Sequence, residues 1–147
     1  MTVGILVAAG TATAQDGEGF IDYRQNLMRA IGANMAAIGD VLKHGLPVQD
    51  NLAGHAGNLA AHADQLAVAF GQRVTEGATD AKPGIWDDPD GFAQAIESFR
   101  AEAVRLSEAA ESGDLAAFGG QVRELGLSCG GCHDNYRKPK EESYKRR

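Results

Sequence analysis

Two cysteines and a histidine near the carboxyl end of the chain have the types and spacing to carry specific chemistry. The stretch Cys129-Gly-Gly-Cys132-His133 has the form C-x-x-C-H, the pattern at which a c-type heme is attached. Two thiols at this spacing can add across the two vinyl groups of heme, and the next residue supplies an imidazole to the iron. On a helix the three side chains lie at i, i+3 and i+4, so they project from one face. The pattern predicts one covalent heme c with His133 as an axial ligand.

The same cysteines admit other interpretations. A thioredoxin-like dithiol would need a βαβ context, and the sequence shows no strand-like alternation. A zinc site would need two more ligands at suitable spacing, and the chain has no second cysteine pair. A chance occurrence of the pattern on a core helix is the remaining alternative.

The composition limits the kind of protein. The 147 residues suffice for one domain with a core, and the formal net charge is −6. An acidic chain is a poor match for nucleic acid, so no such partner is expected. Aromatic residues make up only 6% of the chain, and a buried porphyrin would supply part of the missing flat apolar bulk.

Residues 1–14 are typical of an export signal. An apolar run at 3–10 is followed by Ala12-Thr13-Ala14, which is an A-x-A cleavage pattern. The run is too short to span a bilayer, and no Lys or Arg precedes it, so 1–14 is interpreted as a signal-peptide remnant. Export to the periplasm is consistent with the heme pattern, because c-type heme is attached outside the bacterial cytoplasm. No membrane span is expected in the mature protein.

Four segments of the mature chain carry apolar residues at helical spacing. Four helices with mostly short links predict an all-α protein, an antiparallel up-down-up-down four-helix bundle with covalently bound heme. The heme cysteines fall on the apolar stripe of the fourth segment, so the heme is expected against that helix. The predicted helices cover about 19–44, 48–70, 89–111 and 115–138.

Turn and capping residues set the expected boundaries of these helices. Gly45 and Pro47 end the first helix, while Asp88 and Asp114 are candidate N-caps of the third and fourth. The heme-binding domain is therefore placed at 15–138. The remaining residues, 139–147, are predicted to be a charged C-terminal tail that frays.

At this point the sequence resembles a class II cytochrome c, the cytochrome c′ family. The resemblance rests on the C-terminal position of the heme pattern, the DNYR that follows it at 134–137, YRQNLM at 23–28 and Ile85-Trp86 in the long loop. Class I cytochromes c carry the pattern near their start instead. The resemblance implies a four-helix bundle, a proximal histidine touched by solvent and, often, a homodimer built from the first two helices.

The resemblance also implies that the residue at position 28 decides the function. In low-spin members a methionine from the first helix binds the iron and the protein carries electrons. In the cytochromes c′ proper an apolar residue there blocks the sixth position of a high-spin iron, and small neutral gases can bind. Met28 is the matching residue, and a thioether is a soft ligand that suits a low-spin iron. Met28 is therefore predicted to be the second axial ligand, in the low-spin branch, with simple core packing as the alternative.

Other residues are candidates for the heme pocket. Arg24 and Arg137 could pair with the heme propionates or form surface ion pairs, and Tyr136 and Trp86 are pocket candidates. His55 and His62 lie on the apolar seam predicted for the second helix, so either could in principle replace Met28 in a bis-histidine heme.

Two functions follow from these expectations. The first is a periplasmic electron carrier with His133 and Met28 on the iron, which works with redox partner proteins and performs no bond chemistry, so it is not an enzyme. The alternative is a five-coordinate, high-spin protein that binds nitric oxide or carbon monoxide, with Met28 as a steric gate.

Overall fold

The structure is a computed structural model that describes residues 14–146. Within this range the regular structure is helical, and the four long helices lie close to the predicted positions. The helices are α1 (Ala14–His44), α2 (Asn51–Ala69), the short α3 (Gly84–Asp87), α4 (Pro89–Ser112) and α5 (Leu115–Tyr136). Two 3-10 turns follow, at Lys140–Glu142 and Tyr144–Arg146.

The four long helices form an antiparallel up-down-up-down bundle, which confirms the predicted fold. α1 packs against α2, α2 against α4 and α4 against α5, so each long helix contacts the next one along the chain. Within the described residues α1 and α5 scarcely touch, and a cavity lies between them. The bundle therefore leaves one side open for a cofactor.

The predicted seam of α2 is buried at its leucines but not at its two histidines. Ala56 and Ala63 are fully buried there, together with Leu59. His55 and His62 lie beside this face and are only half-buried. Small side chains let two helices approach closely, so the alanines occupy the crossing and the larger imidazoles are displaced from it.

α1 divides its apolar residues between two faces. Leu27, Ile38 and Val41 are buried in the core against α2. Met28 and Met35 are half-buried, and both line the cavity. One face of α1 therefore packs in the core, and the adjacent face lines the cavity.

The predicted N-caps of the last two long helices are confirmed. The side chain of Asp88 accepts a hydrogen bond from the amide of Gly91 (3.1 Å). Asp114 accepts from the amides of Ala116 (2.9 Å) and Ala117 (3.0 Å). These bonds satisfy donors that a helix start leaves without partners, so both starts are fixed locally.

Residues 139–146, here called the C-terminal strap, fold back onto the bundle instead of fraying as predicted. Ser143 is buried, and its hydroxyl donates to Oδ2 of Asp80 (2.9 Å). The amide of Tyr144 donates to Oδ1 of the same carboxylate (3.0 Å). The residue that holds the strap, Asp80, is far away in the sequence. The composition of 139–146 alone therefore predicts a frayed tail.

The predicted export segment, 1–14, lies outside the described residues except for Ala14, the first residue of α1. None of the helices in the described range combines the length and apolar character that crossing a bilayer requires.

Candidate heme site

The cavity between α1 and α5 is large and mostly apolar. Its volume is about 560 Å³, within the range of roughly 300–1,000 Å³ that is usual for cofactor and small-molecule pockets. α4 closes it with Phe92, Ile96 and Phe99, and Phe70 adds a further ring after the end of α2. A flat apolar group would meet hydrophobic side chains from several helices.

Cys129, Cys132 and His133 all line this cavity from α5. Their spacing places them on one helix face, as expected from the sequence. Both cysteines are free and half-buried. Burial raises the pKa of each thiol, and for Cys132 the neighbouring Cys129 raises it further. At neutral pH the cavity wall therefore presents two protonated thiols one turn apart.

The imidazole of His133 lies beside these thiols in an environment that favours its neutral form. Partial burial lowers its pKa, and the positive charge of Arg137 lowers it further, whereas Asp134 acts in the opposite direction. The neutral imidazole is the form that binds a metal ion. The ring is therefore available as an iron ligand at neutral pH.

The α1 wall of the cavity carries Met28, with Ile31 and Met35 beside it. Met28 and Met35 also pack against the buried core. Met28 therefore reaches the cavity, as predicted, and its contacts suit a steric role as well as a role as ligand.

Arg24 is buried although it is charged, with 4% of its surface exposed. Its guanidinium lies 4.9 Å from the ring centre of Phe70 and 5.2 Å from that of Trp86. Burial lowers its pKa, but a guanidinium remains charged. Three backbone carbonyls accept its hydrogen bonds: Ala69 (2.8 Å from Nε), Gln72, and Val74 (3.5 Å from Nη1).

Through these hydrogen bonds Arg24 joins α1 to the segment that follows α2. The side chain also lines the cavity. Its pairing with a heme propionate stays a prediction, because three of its N–H groups already have acceptors in the protein.

The rim of the cavity near the end of α5 is cationic. Arg137 follows α5, and its Nη2 lies 3.9 Å from Oδ2 of Asp80. Lys145 of the C-terminal strap lines the same cavity. Arg137 is thus placed where it could meet a heme propionate, which stays a prediction.

The two aromatic pocket candidates have different positions. Tyr136 lines the cavity, donates its hydroxyl to Oδ2 of Asp88 (3.1 Å) and packs edge-to-face on Phe92. In the described part of the chain the cavity lining includes Ile85 but not Trp86, so a role of Trp86 in the heme pocket stays a prediction. The indole N–H donates to the carbonyl of Phe70 (2.7 Å), and this bond holds the ring behind the cavity wall.

The histidines of α2 also lie away from the cavity. Nδ1 of His55 is 2.9 Å from Oδ1 of Asn34, and Nδ1 of His62 is 2.8 Å from Oε1 of Gln65. Of the histidines within residues 14–146, His133 alone lines the cavity. Their placement on the bundle therefore does not support a bis-histidine heme.

Taken together, the lining residues fit a covalently bound heme. α5 supplies two thiols and an imidazole, and the other walls supply apolar contacts for a macrocycle. The charged lining residues are mainly cations, which match the two carboxylates of heme. In the described range these are Arg24, Arg29, Arg137 and Lys145, with Asp80 as the acidic member.

Comparison with known proteins decides the family. The sequence model described as Cytochrome C′ matches residues 19–137. The chain belongs to the cytochrome c′ family. It is 36% identical over 141 residues to the cytochrome c′ of Rhodospirillum rubrum, a match covering 93% of this chain and 96% of that protein. Members of the family carry covalently bound heme c, which is therefore the cofactor.

The family includes relatives with other names and with solved structures. Cytochrome c-554 of Cereibacter sphaeroides is 35% identical over 140 residues, covering 90% of this chain and 91% of that one. A ferrous variant of cytochrome c prime from Alcaligenes xylosoxidans with bound nitric oxide superposes with a TM-score of 0.76 at 30% identity. That match covers 84% of this chain and 97% of the other.

Some cavity residues lie outside the apolar stripes of the long helices and could not be predicted from them. Asp80 and Tyr144 line the cavity together with Lys145. The only signal was a polar, cation-rich end to the chain, and this does not reveal a contact with residue 80.

Proposed function

We propose that this protein is a five-coordinate, high-spin cytochrome c′ that binds nitric oxide or carbon monoxide at its heme iron. Cys129 and Cys132, the two cysteines of the chain, would hold the heme through thioethers, and His133 would bind the iron. The heme supplies a ferrous iron with one position open to a gas. The protein would bind and release the gas without bond chemistry of its own, so it is not proposed as an enzyme.

The observation that carries this proposal is the apolar α1 wall of the cavity. Met28, Ile31 and Met35 face the cavity from α1, and Met28 is held by contacts with the buried core. A thioether held in this way acts as a barrier that a small, uncharged molecule can pass more easily than a charged one. The relatives support the same function, since several are named cytochrome c′ and one structural neighbour holds nitric oxide.

The presence of a thioether on the cavity wall favours a second candidate. If the sulfur of Met28 bound the iron, the heme would be low-spin and the protein would exchange single electrons with redox partner proteins. The similarity to cytochrome c-554 shows that the relatives are not confined to proteins named cytochrome c′. We rank this candidate second because the similar structure described above is a cytochrome c prime with bound nitric oxide.

Replacing Met28 with alanine separates the two candidates. For the gas-binding protein we expect unchanged high-spin bands and faster carbon monoxide association. A roughly tenfold increase would correspond to an entry barrier lowered by about 1.4 kcal/mol. The measurement is the rate of carbon monoxide binding to the ferrous holoprotein after rapid mixing.

Leu42→Ala is the matched control, since Leu42 lies on α1, is half-buried and packs against the core away from the cavity lining. Its association rate should equal that of the wild type. If Met28→Ala instead converts a low-spin spectrum into a high-spin one, Met28 is an iron ligand and the electron-transfer candidate replaces our proposal.

The proposed location is the periplasm, with 1–14 as the export segment. Heme c and the relatives support this location. A homodimer through α1 and α2 stays a prediction, and sizing chromatography of the holoprotein would test it.

A further inference from the structure

We propose that the C-terminal strap covers the edge of the heme cavity beside His133, and that Asp80 is the positioning residue that holds it there. The strap brings Tyr144 and Lys145 to the cavity lining. The match to the cytochrome c′ family ends at Arg137, so the family match does not describe the strap. The inference rests on the covalent heme of the proposed function and not on the gas ligand, so the two can fail separately.

Asp80 holds the strap with both oxygens of its carboxylate. Oδ2 accepts the hydroxyl of Ser143 and Oδ1 accepts the amide of Tyr144. The Asp80 side chain is only 12% exposed. Hydrogen bonds to a carboxylate are stronger than those between neutral groups, and shielding from water strengthens them. One side chain therefore fixes two successive residues of the strap.

The backbone beside Asp80 anchors the start of the strap. The carbonyl of Asp80 accepts the amide of Lys138 (2.7 Å), and Ala81 pairs with Arg137 in an isolated β-bridge. Nζ of Lys138 donates to the carbonyl of Thr79 (3.1 Å). The chain thus leaves α5 along a fixed path, which directs the strap towards the Asp80 carboxylate.

The strap is linked to the surroundings of His133 through Asp80 and Arg137. Arg137, whose charge acts on His133, lies 3.9 Å from the carboxylate that binds the strap. Tyr144 and Lys145 share the cavity lining with His133. A strap held in this position shields that edge of the heme from solvent, and its release would expose the edge.

Asp80→Asn tests the anchor in the heme-loaded protein. The amide cannot accept with both atoms, so we expect the backbone amides of 139–147 to exchange hydrogen roughly tenfold faster. We also expect a larger shift of the main heme absorption band on addition of glycerol, because the heme edge is then open to solvent. Exchange is read by mass spectrometry of the C-terminal peptide.

Glu141→Gln is the matched control, because it removes the same charge from an exposed residue of the strap itself. It should leave both readings at the wild-type value. Ser143→Ala removes one of the two bonds to Asp80 without altering Asp80 or its contact with Arg137, together with a longer bond that the hydroxyl accepts from the amide of Lys145 (3.4 Å). It should change both readings in the same direction by a smaller factor.

The outcomes are distinct. Unchanged exchange in both Asp80→Asn and Ser143→Ala would overturn the role of Asp80 as the anchor. Faster exchange with an unchanged response of the heme band would overturn the covering role, since the strap would then be a purely structural element. Neither reading depends on gas binding, so a failure to bind carbon monoxide would contradict the proposed function alone.

Discussion

Replacing both Cys129 and Cys132 with serine is expected to give a protein that retains no covalently bound heme. A thiol adds across a heme vinyl group to give a stable thioether, and a serine hydroxyl does not replace it in this role. When the denatured protein is extracted with acidified organic solvent, the wild type should keep its heme with the polypeptide. The double variant should release all of it.

The single variants and a control sharpen this test. Cys129→Ser and Cys132→Ser should each keep heme through one thioether. Gly130→Ala is the control, because Gly130 lies between the two cysteines and a Cβ there meets nothing within 4 Å. This variant should keep both thioether bonds. Heme that stays bound to the polypeptide of the denatured double variant would refute the assignment of the two cysteines.

Replacing Arg24 with alanine is expected to lower the free energy of unfolding by about 2–4 kcal/mol. Three backbone carbonyls would lose their donor, and the rings of Phe70 and Trp86 would lose their contact with the guanidinium. The change can be measured by urea unfolding of the heme-loaded protein, followed by far-ultraviolet circular dichroism.

Two further variants show whether the hydrogen bonds of the Arg24 guanidinium account for the loss of stability. Arg24→Lys keeps the charge but places it on a single ammonium, which cannot span three carbonyls as a guanidinium does, so an intermediate loss is expected. Arg123→Ala removes an exposed arginine of α5 that lies outside the cavity lining and pairs with its neighbour Glu124, so it should stay within about 0.5 kcal/mol of the wild type. If Arg24→Ala lowered the free energy of unfolding by less than about 0.5 kcal/mol, the hydrogen bonds of Arg24 would contribute little to stability.

The helices could be predicted from the sequence because their signals are local. Spacing along each helix, and the residues Gly45, Asp88 and Asp114 at the junctions, act within a few positions of one another. The heme pattern is equally local, since its three side chains share one turn of α5. These features could be predicted without knowing which helices are neighbours.

The leucines of the α2 seam could be predicted from spacing, but the residues between them could not. His55 and Ala56 both lie one turn from the buried Leu52 and Leu59, so the choice between them depends on how closely α2 approaches its neighbours. The same limit applies to Trp86, whose position is set by the carbonyl of Phe70 and the buried Arg24.

The contacts between distant segments were the least predictable part of the site. Arg24 bonds residues 69–74, and Asp80 bonds Ser143 and Tyr144, in each case across a long stretch of chain. No spacing rule links such pairs. They become visible only when the fold places α1, the loop after α2 and the end of α5 around one cavity.

In the proposed function the heme iron is five-coordinate and open to a gas beside Met28. The most direct measurement is the visible spectrum of the purified holoprotein, ferric and ferrous, before and after addition of carbon monoxide. We expect broad high-spin bands and a rapid shift of the ferrous spectrum with carbon monoxide. Sharp low-spin ferrous bands, a ferric iron–thioether charge-transfer band and no response to carbon monoxide would contradict the claim and place the sulfur of Met28 on the iron.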